Sequence, residues 1–270
     1  MATLVGKVAL VTGASRGVGK GIALGLAEQG ATVYVTGRTT TGAAPPTPLP
    51  GTVEETAAEV TALGGRGVAI ACDHRDDEQT RAAVRRVIDD EAGRIDVLVN
   101  NVWGGYEYFW DGTPFWEEAG FWTQPLERWD SAFQAGVRAH YVTTVAAAPA
   151  MVAAGSGLIV NVSSEGAEKT ETGVAYGAAK AATDHMIACM AHELRDHGVT
   201  AVSLYPGLVR TESVLRAAEF IDLTVSESPL FVGRAVAALA TDPNVTHHTG
   251  QVLRTSTLAQ QYHFTDPHPH

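Results

Sequence analysis

Seven short apolar runs, separated by helical patterns, organise this chain of 270 residues. The runs cover residues 7–12, 32–36, 67–72, 95–99, 157–164, 199–204 and 250–253. Such runs are typical of strands buried on both faces of a sheet. The helical patterns begin near 20, 53, 77, 126, 175 and 229, and the third, fifth and sixth extend to 91, 197 and 241. This uninterrupted alternation favours one α/β layer structure over two small domains.

A glycine-rich turn follows the first predicted strand and precedes a helix that Gly30 closes. Strand, glycine turn and helix together direct backbone N–H groups and a helix N-terminus at a phosphate. The second strand, at 32–36, arrives where a βαβ unit needs it. The turn therefore predicts a dinucleotide site, to which we assign Gly13, Ser15, Arg16, Gly17, Val18 and Gly19.

A tyrosine and a lysine lie one turn apart on the helix that follows the fifth predicted strand. Tyr176 and Lys180 share a helix face, and Ser164 stands at the end of the strand, with Ser163 as the alternative serine. A fixed ammonium beside a phenol lowers the pKa of the phenol, so Tyr176 could exchange a proton with a substrate oxygen that Ser164 holds. A tyrosine and lysine at this spacing arise by chance in about one such chain in ten, so the glycine turn adds weight.

Taken in order, these motifs resemble those of the short-chain dehydrogenase/reductase family, from about residue 7 to residue 253. The resemblance rests on Thr12, Gly13, Gly17, Gly19, Asn100, Asn101, Ser164, Tyr176 and Lys180. It implies a single domain over 1–270 with a doubly wound Rossmann fold, a parallel seven-stranded sheet with helices on both faces. It also implies reversible hydride transfer between a nicotinamide dinucleotide and a carbonyl or secondary alcohol, catalysed by Ser164, Tyr176 and Lys180. The segments 114–117, 136–141, 190–195 and 240–243 further resemble one branch of the family.

The resemblance assigns further residues to the cofactor. Asp73 is expected to accept a hydrogen bond from the adenine amino group, although Asp73 or Asp76 could instead cap the helix at 77. Lys180 is expected to bind the nicotinamide ribose, and Thr211 the carboxamide or the pyrophosphate. The remaining cofactor residues on this expectation are Asn100, Tyr176, Pro206, Gly207 and Val209. Asn100 is also expected to tether the central strands.

The residues after the second strand predict a preference for NADP(H) over NAD(H). Gly37 and Arg38 stand where a carboxylate would bind the ribose hydroxyls of NAD. A guanidinium can instead hold a 2'-phosphate through two hydrogen bonds, and Arg16 is placed to assist. The alternative is that both arginines are solvated surface residues.

Two positions depart from the family pattern. Gly136 replaces an asparagine whose local kink holds a proton-relay water, and Trp103 replaces a glycine. Glycine still permits a kink and offers a carbonyl oxygen. We consider two roles for His140, help in the relay or simple packing. The missing asparagine also supports an alternative function, a non-catalytic NADP-binding sensor or scaffold.

Three segments fall outside the family pattern. All five tryptophans lie between 103 and 129, around an aromatic loop at 103–125 without strand or helix periodicity. This loop could wall an apolar substrate pocket, bury itself against a second subunit, or form a self-packed lid. A proline-rich insertion at 42–51 is predicted to be a stiff surface loop, and an extension at 254–270 could cross to another subunit.

The net charge and the composition of the chain limit the kinds of partner and binding site that we expect. A net charge of -11 argues against nucleic acid or an anionic membrane as a partner.

Cys72 and Cys189 are expected to be small buried fillers rather than a disulfide. No metal site is expected, since the histidines at 263, 268 and 270 fit a disordered tail. Neither a signal segment nor 18 consecutive apolar residues occur, so we expect a cytoplasmic protein. The helix at 175–197 implies, through the resemblance, a homodimer or homotetramer.

Overall fold

The computed structural model of the chain describes residues 3–43, 47–105 and 120–267. The strands are β1 Val8–Val11, β2 Thr32–Gly37, β3 Arg66–Ala71, β4 Val97–Asn100, β5 Gly157–Val162, β6 Val199–Tyr205 and β7 Val252–Arg254. The helices are α1 Gly17–Ala27, α2 Val53–Ala62, α3 Asp77–Asp90, α4 Leu126–Phe133, α5 Ala139–Ala154, α6 Val174–Leu194, α7 Glu212–Arg216, α8 Pro229–Thr241 and α9 Thr255–Tyr262. A π-helical turn, Gln134–Arg138, joins α4 to α5.

All seven strands form one sheet in the order β3-β2-β1-β4-β5-β6-β7, and every neighbouring pair is parallel. The chain proceeds outward from β1 to β3 and then continues on the other side of β1 with β4. Ligands of such sheets bind beyond the carboxyl ends of the strands where this direction changes. The predicted doubly wound, parallel seven-stranded fold is confirmed, and β1 and β4 mark the place to look for a site.

Helices cover both faces of the sheet because successive strand residues point to opposite sides. Val33 and Val35 face a core formed with α1, α2 and α8. Tyr34, between them, faces a second core formed with α3, α5 and α6. Both faces are therefore dry, which explains why the strands appear in the sequence as continuous apolar runs rather than as an alternating pattern.

Glycines allow α1 and α8 to pack in direct backbone contact. A Cβ built at Gly233 would lie 2.0 Å from the carbonyl oxygen of Gly21, and one at Gly25 would lie 2.3 Å from the carbonyl carbon of Gly233. No side chain fits at either position without moving one helix. This contact holds the helix that begins at the glycine turn against the sheet.

The C-terminal extension packs on its own chain as far as residue 267, and its contact with another subunit remains a prediction. It forms α9, whose Leu258 is buried in the core. Beyond α9, the carboxylate of Asp266 accepts hydrogen bonds from the backbone N–H of Ser228 (2.7 Å), from the Ser228 hydroxyl (2.5 Å) and from Arg210 (3.4 Å). Ser228 is the residue that caps α8. The extension thus braces the start of α8.

The prediction of a disordered tail is wrong for its first histidine. His263 directly follows α9 and ends that helix with a backbone φ of +56°. The other two histidines, at 268 and 270, lie outside the described residues.

Among the residues that the structure describes, no helix combines the length and the apolar character required to span a bilayer.

Candidate active site

A cavity of about 1090 Å³ opens at the carboxyl end of the sheet. Its walls come from the turn after β1, from the ends of β2, β3 and β4, and from the segment 212–227, which we call the lid segment. The volume is at the upper end of the range for small-molecule sites. The cavity lies where the strand order changes direction, as the fold predicts.

The glycine turn forms one wall of the cavity, as expected for five of its six assigned residues: Gly13, Ser15, Arg16, Gly17 and Val18. Gly13 and Gly17 have φ of +65° and +58°, which favour glycine. The sixth, Gly19, does not line the cavity. A Cβ there would lie 2.4 Å from the Asn101 amide nitrogen, which donates to the carbonyl oxygens of Thr12 and Gly13. Gly19 therefore permits the close packing that fixes the turn.

The N-terminus of α1 is in contact with a carboxylate that sequence reasoning missed. The backbone N–H of Gly17 donates to Oε2 of Glu212, at 2.9 Å. Glu212 is the first residue of α7 and lies in the lid segment. A carboxylate is favoured at the positive end of a helix for the same reason as a phosphate. The lid segment thus touches the part of the turn assigned to phosphate.

Two arginines of the cavity wall, Arg16 and Arg38, have different surroundings. The guanidinium of Arg16 donates to Pro50 O (2.8 Å), Gly51 O (2.9 Å) and the Thr39 hydroxyl (3.0 Å), so it ties the proline-rich loop to the glycine turn. Arg38, at the end of β2, is half-buried and lines the same wall. Arg16 therefore organises the loop.

Asp73 lines the cavity at the end of β3, and Asp76 caps α3. This resolves the two alternatives for the cap. Burial raises the pKa of Asp73, but hydrogen bonds from Arg75, together with the charges of Arg75 and Arg38, bring it below its ordinary value. The carboxylate is thus ionised at neutral pH, and both of its oxygens accept hydrogen bonds from Arg75.

The side chain of Asn100 forms the expected tether between the central strands and does not line the cavity, and its contact with the cofactor remains a prediction. It is fully buried and donates to Oδ1 of Asn161 (2.8 Å) and to the Thr144 hydroxyl (2.9 Å). It tethers β4 to β5 and α5. The next residue, Asn101, lines the cavity instead.

The structure brings Ser164 and Tyr176 into hydrogen-bond contact. The Tyr176 hydroxyl donates to Oγ of Ser164 at 2.9 Å, and the same oxygen accepts from the backbone N–H of Gly166 at 3.1 Å. Ser163, the alternative serine, is buried and faces the carbonyl oxygen of Lys180 at 3.4 Å. The choice of Ser164 over Ser163 agrees with this geometry.

Lys180 is buried on the same face of α6 as Tyr176. Its Nζ donates to the carbonyl oxygen of Val162 at 3.3 Å and lies 5.7 Å from the centre of the Tyr176 ring. Burial lowers the pKa of Lys180 to about 8, although the charge of Asp184 opposes this shift. The amine is therefore mostly protonated at neutral pH and becomes neutral in mildly alkaline solution.

Trp103 connects the cavity to these residues. Its side chain lines the cavity, lies with its ring centre 4.2 Å from Nζ of Lys180, and meets the Tyr176 ring edge-on with centres 5.3 Å apart. None of Ser164, Tyr176 and Lys180 is itself part of the wall. The indole thus contacts both the cavity and the tyrosine–lysine pair.

Gly136 lies within the π-helical turn, so the expected kink is present without the family asparagine. A Cβ at Gly136 would lie 2.6 Å from two carbons of the Trp103 ring. His140, one turn further, is buried, and its Nε2 lies 2.9 Å from the Val102 carbonyl oxygen. Burial and the nearby charge of Lys180 lower the pKa of His140 to about 3, so it stays neutral and the packed role fits it better than the relay.

The loop after β6 meets the cavity through two residues, Leu208 and Thr211. The Thr211 methyl lies 3.3 Å from a Cβ built at Gly17, which favours the pyrophosphate over the carboxamide as its partner. Val209 is buried in the core, and Gly207 donates its N–H to Glu227 at 3.0 Å. These two, and Pro206, lie beside the cavity rather than in its wall, and their assignment to the cofactor remains a prediction.

The aromatic loop is only partly described, since its residues 106–119 lie outside the described part of the chain. Trp103 lines the cavity, whereas Trp122 is 77% exposed and Trp129 stacks on Phe133 at the surface. These positions leave the cavity-lining role to the first of the three.

The two cysteines have different surroundings. Cys72 is buried as expected, and burial raises the pKa of its thiol to about 12. Cys189 is exposed on α6, so its prediction as a buried filler was wrong. The described residues contain no group of three side chains that could hold a metal.

The family model for short chain dehydrogenases matches residues 7–220, most of the chain. The chain belongs to the short-chain dehydrogenase/reductase family. It is 42% identical over 282 residues to dehydrogenase/reductase SDR family member 1 of Mus musculus, covering 98% of this chain and 85% of that protein. This is the branch that the four additional segments indicated.

Solved structures of the same family share this architecture. A short chain dehydrogenase from Mycobacterium thermoresistibile is 27% identical with a TM-score of 0.80, and the match covers 98% of this chain and 90% of that one. A 7α-hydroxysteroid dehydrogenase, solved with NADH and 7-oxo glycochenodeoxycholic acid, is 25% identical with a TM-score of 0.76 and 94% coverage of both chains.

The fold of this dehydrogenase/reductase implies binding of NAD(P)(H), and the residues present fit such a group. Gly13 and Gly17 line the cavity with positive φ, and the Gly17 N–H at the N-terminus of α1, which binds the Glu212 carboxylate here, is of the kind that holds a phosphate. Asp73 and Arg38 contribute a carboxylate and a guanidinium to the wall of the same cavity.

Proposed function

We propose that this chain is an NADP(H)-dependent oxidoreductase that acts on a carbonyl or secondary alcohol, with Tyr176 as general acid in reduction. The observation that carries the proposal is the 2.9 Å hydrogen bond between Tyr176 and Ser164, with buried Lys180 on the same helix face. Two hydroxyls that already share a hydrogen bond can both engage one substrate oxygen.

In reduction, the Tyr176 hydroxyl gives its proton to the oxygen of the carbonyl as that oxygen gains negative charge. Ser164 holds the same oxygen with a hydrogen bond. The ammonium of Lys180 stabilises the phenolate that remains on Tyr176, and Lys180 is also the residue assigned to the nicotinamide ribose. The bound dinucleotide supplies the hydride to the carbonyl carbon. Oxidation of an alcohol uses the same groups in reverse.

The preference for NADP(H) is supported by Arg38. It is the half-buried cation at the end of β2, where the chain has no carboxylate to repel a 2'-phosphate. Arg38→Asp should reverse the order of NADPH and NADH affinities in a fluorescence titration. Arg216→Asp is a charge-matched control, since Arg216 also lines the cavity but lies in the lid segment, where it donates to Pro48 O at 3.0 Å. If Arg38→Asp leaves the preference unchanged, the assignment of the 2'-phosphate to Arg38 is wrong.

An apolar or aromatic carbonyl is the proposed substrate class. The cavity wall includes large or apolar side chains, among them Trp103, Leu208, Val214, Ala217, Phe220 and Ile221. Apolar walls with few polar groups favour ligands that bury apolar surface. The steroid ligand of the structural neighbour described above belongs to this class.

The experiment is the oxidation of NADPH in the presence of quinones, ketosteroids and aromatic diketones, with Tyr176→Phe as the test variant. The variant should lose turnover by roughly 10²–10⁴-fold or more, because the general acid is missing, and should bind NADPH like the unchanged chain. Tyr141→Phe is the matched control, as Tyr141 is exposed on α5. Full turnover in Tyr176→Phe would contradict the mechanism. Tight NADPH binding without turnover of any panel member would favour the non-catalytic sensor or scaffold.

A further inference from the structure

Two glycines from different segments make room for the indole of Trp103. A Cβ built at Gly105 would lie 2.3 Å from Cζ2 of the ring, and one built at Gly136 would lie 2.6 Å from Cε3 and Cζ3. Neither glycine has a positive φ, so backbone conformation does not require glycine at these positions. We call the two residues the indole cradle. Glycine is needed at both positions because the indole ring closely fills the space that a side chain would occupy.

The indole held by the cradle faces a buried amine. The ring centre lies 4.2 Å from Nζ of Lys180, well within the distance of about 6 Å at which an aromatic face attracts a cation. Apart from this face, Nζ has a hydrogen bond of 3.3 Å to Val162 O, which is longer than a strong ammonium bond. A buried charge requires compensation, and a lysine side chain has four rotatable bonds by which to move away from its position.

The same indole also limits the position of Tyr176. The two rings meet edge-on, with an angle of 80° between their planes, which is a preferred geometry for aromatic pairs. One side chain therefore contacts the proton donor and the cation beside it, and it also lines the cavity assigned to the dinucleotide. Trp103 is thus placed to link the position of the lysine to that of the tyrosine.

We propose that Trp103 is a positioning residue, which holds the ammonium of Lys180 beside Tyr176 through its aromatic face, and that Gly136 is a glycine because any larger residue would displace that indole. The chemical consequence rests on the proposed function, whereas the geometry does not. The two unusual positions noted in the sequence, Trp103 and Gly136, become one feature. The indole of Trp103 occupies the space that a side chain at position 136 would need.

Lysine NMR tests this inference without substrate or cofactor. The chain has only four lysines, Lys7, Lys20, Lys169 and Lys180, so spectra of protein labelled at lysine Cε are simple, and Lys180→Arg identifies the resonance. An ammonium above an indole face should place the Lys180 ε-methylene protons upfield of the other three through the ring current. If the Lys180 signal lies among the others, the proposed contact does not exist in solution.

Trp103→Leu then separates the aromatic face from mere filling of space. The variant should lose the upfield displacement, and the titration midpoint of Lys180 should fall by about one pH unit, because cation–π contacts in desolvated sites are worth roughly that much. Trp129→Leu is the matched control, since Trp129 stacks on Phe133 instead. An unchanged or raised midpoint in Trp103→Leu would show that the indole only excludes water, and would overturn the proposal.

Gly136→Ala keeps Trp103 and so covers the case in which Trp103→Leu folds poorly, and a double-mutant cycle joins the two variants when both fold. Alanine is intrinsically favoured over glycine in helical turns, so a fall in melting temperature of Gly136→Ala reports the collision with the indole. That fall should largely disappear when position 103 is leucine, and the Lys180 signal should shift in Gly136→Ala itself. Additive effects, with no change at Lys180, would contradict the role given to Gly136. If the NMR results hold but no substrate is turned over, the proposed function fails and the positioning role stands.

Discussion

The contact between the lid segment and the glycine turn leads to a prediction about dinucleotide affinity. Oε2 of Glu212 accepts the N–H of Gly17 at 2.9 Å, at the helix end assigned to the pyrophosphate. A phosphate that binds this N–H must displace the carboxylate. We therefore expect Glu212→Gln, which keeps the size of the side chain but removes its charge, to bind NADPH more tightly.

The expected gain follows from two effects. A hydrogen bond to a charged group is worth about 1.5–3 kcal/mol and a neutral one about 0.5–1.5, so the glutamine is displaced at roughly 1 kcal/mol lower cost. A carboxylate that remains about 8 Å from the bound phosphate in an aqueous setting adds ~0.5 kcal/mol of repulsion per charge, which the variant lacks. Together these amount to about 1.5 kcal/mol, or roughly tenfold in the dissociation constant.

The assay is a fluorescence titration with NADPH at low salt and again at high salt, where screening should reduce the difference between the variant and the unchanged chain. Glu219→Gln serves as the control, because Glu219 carries the same charge on the same lid segment but is exposed. If Glu212→Gln binds no more tightly than Glu219→Gln, the carboxylate does not compete with the phosphate. Weaker binding would mean that Glu212 assists the cofactor, which is the opposite of our reasoning.

Two further predictions concern the free energy of unfolding, measured by urea titration. Gly233→Ala should reduce this free energy by about 1–3 kcal/mol, because the added Cβ would lie 2.0 Å from Gly21 O. Unchanged stability would contradict the close contact of α1 with α8. Gly64→Ala is the control for backbone strain alone, since a Cβ there meets nothing within 4 Å but φ is +97°. Lys180 has a folded pKa of about 8, below its ordinary 10.5, so between these values the unfolded chain binds a proton that the folded chain lacks, and stability rises with pH by up to about 1.4 kcal/mol per unit. The difference in unfolding free energy between the unchanged chain and Lys180→Met should rise across this window, and a constant difference would refute the shift.

Local features of the sequence predicted most of the fold because both faces of the sheet are buried. Continuous apolar runs located all seven strands, and the predicted bounds of the helix at 229–241 are those observed. The spacing of Ser164, Tyr176 and Lys180 predicted their proximity, since a helix face is a local property.

Contacts between distant segments could not be predicted in this way. Gly17 and Glu212 are 195 positions apart and form no pattern together. Trp103 and Gly136 were each recognisable as departures from the family, but only the packing of the residues after β4 against the π-helical turn shows that one accommodates the other. The tether formed by Asn100 was predicted, but a strand end does not reveal whether a side chain points into the core or toward the cavity.

The hydrogen bonds of Asp266 to Arg210 and Ser228 have a consequence for access to the site. Arg210 and Ser228 stand at the two ends of the lid segment, and a single carboxylate from the C-terminal extension binds both. A segment that is held at both ends can move away from the cavity only in its middle, and it cannot rotate outward about one end. A ligand would therefore enter under the middle of the lid segment, whose two ends are held by the C-terminal extension. A fusion partner or a deletion at this extension would alter the entrance.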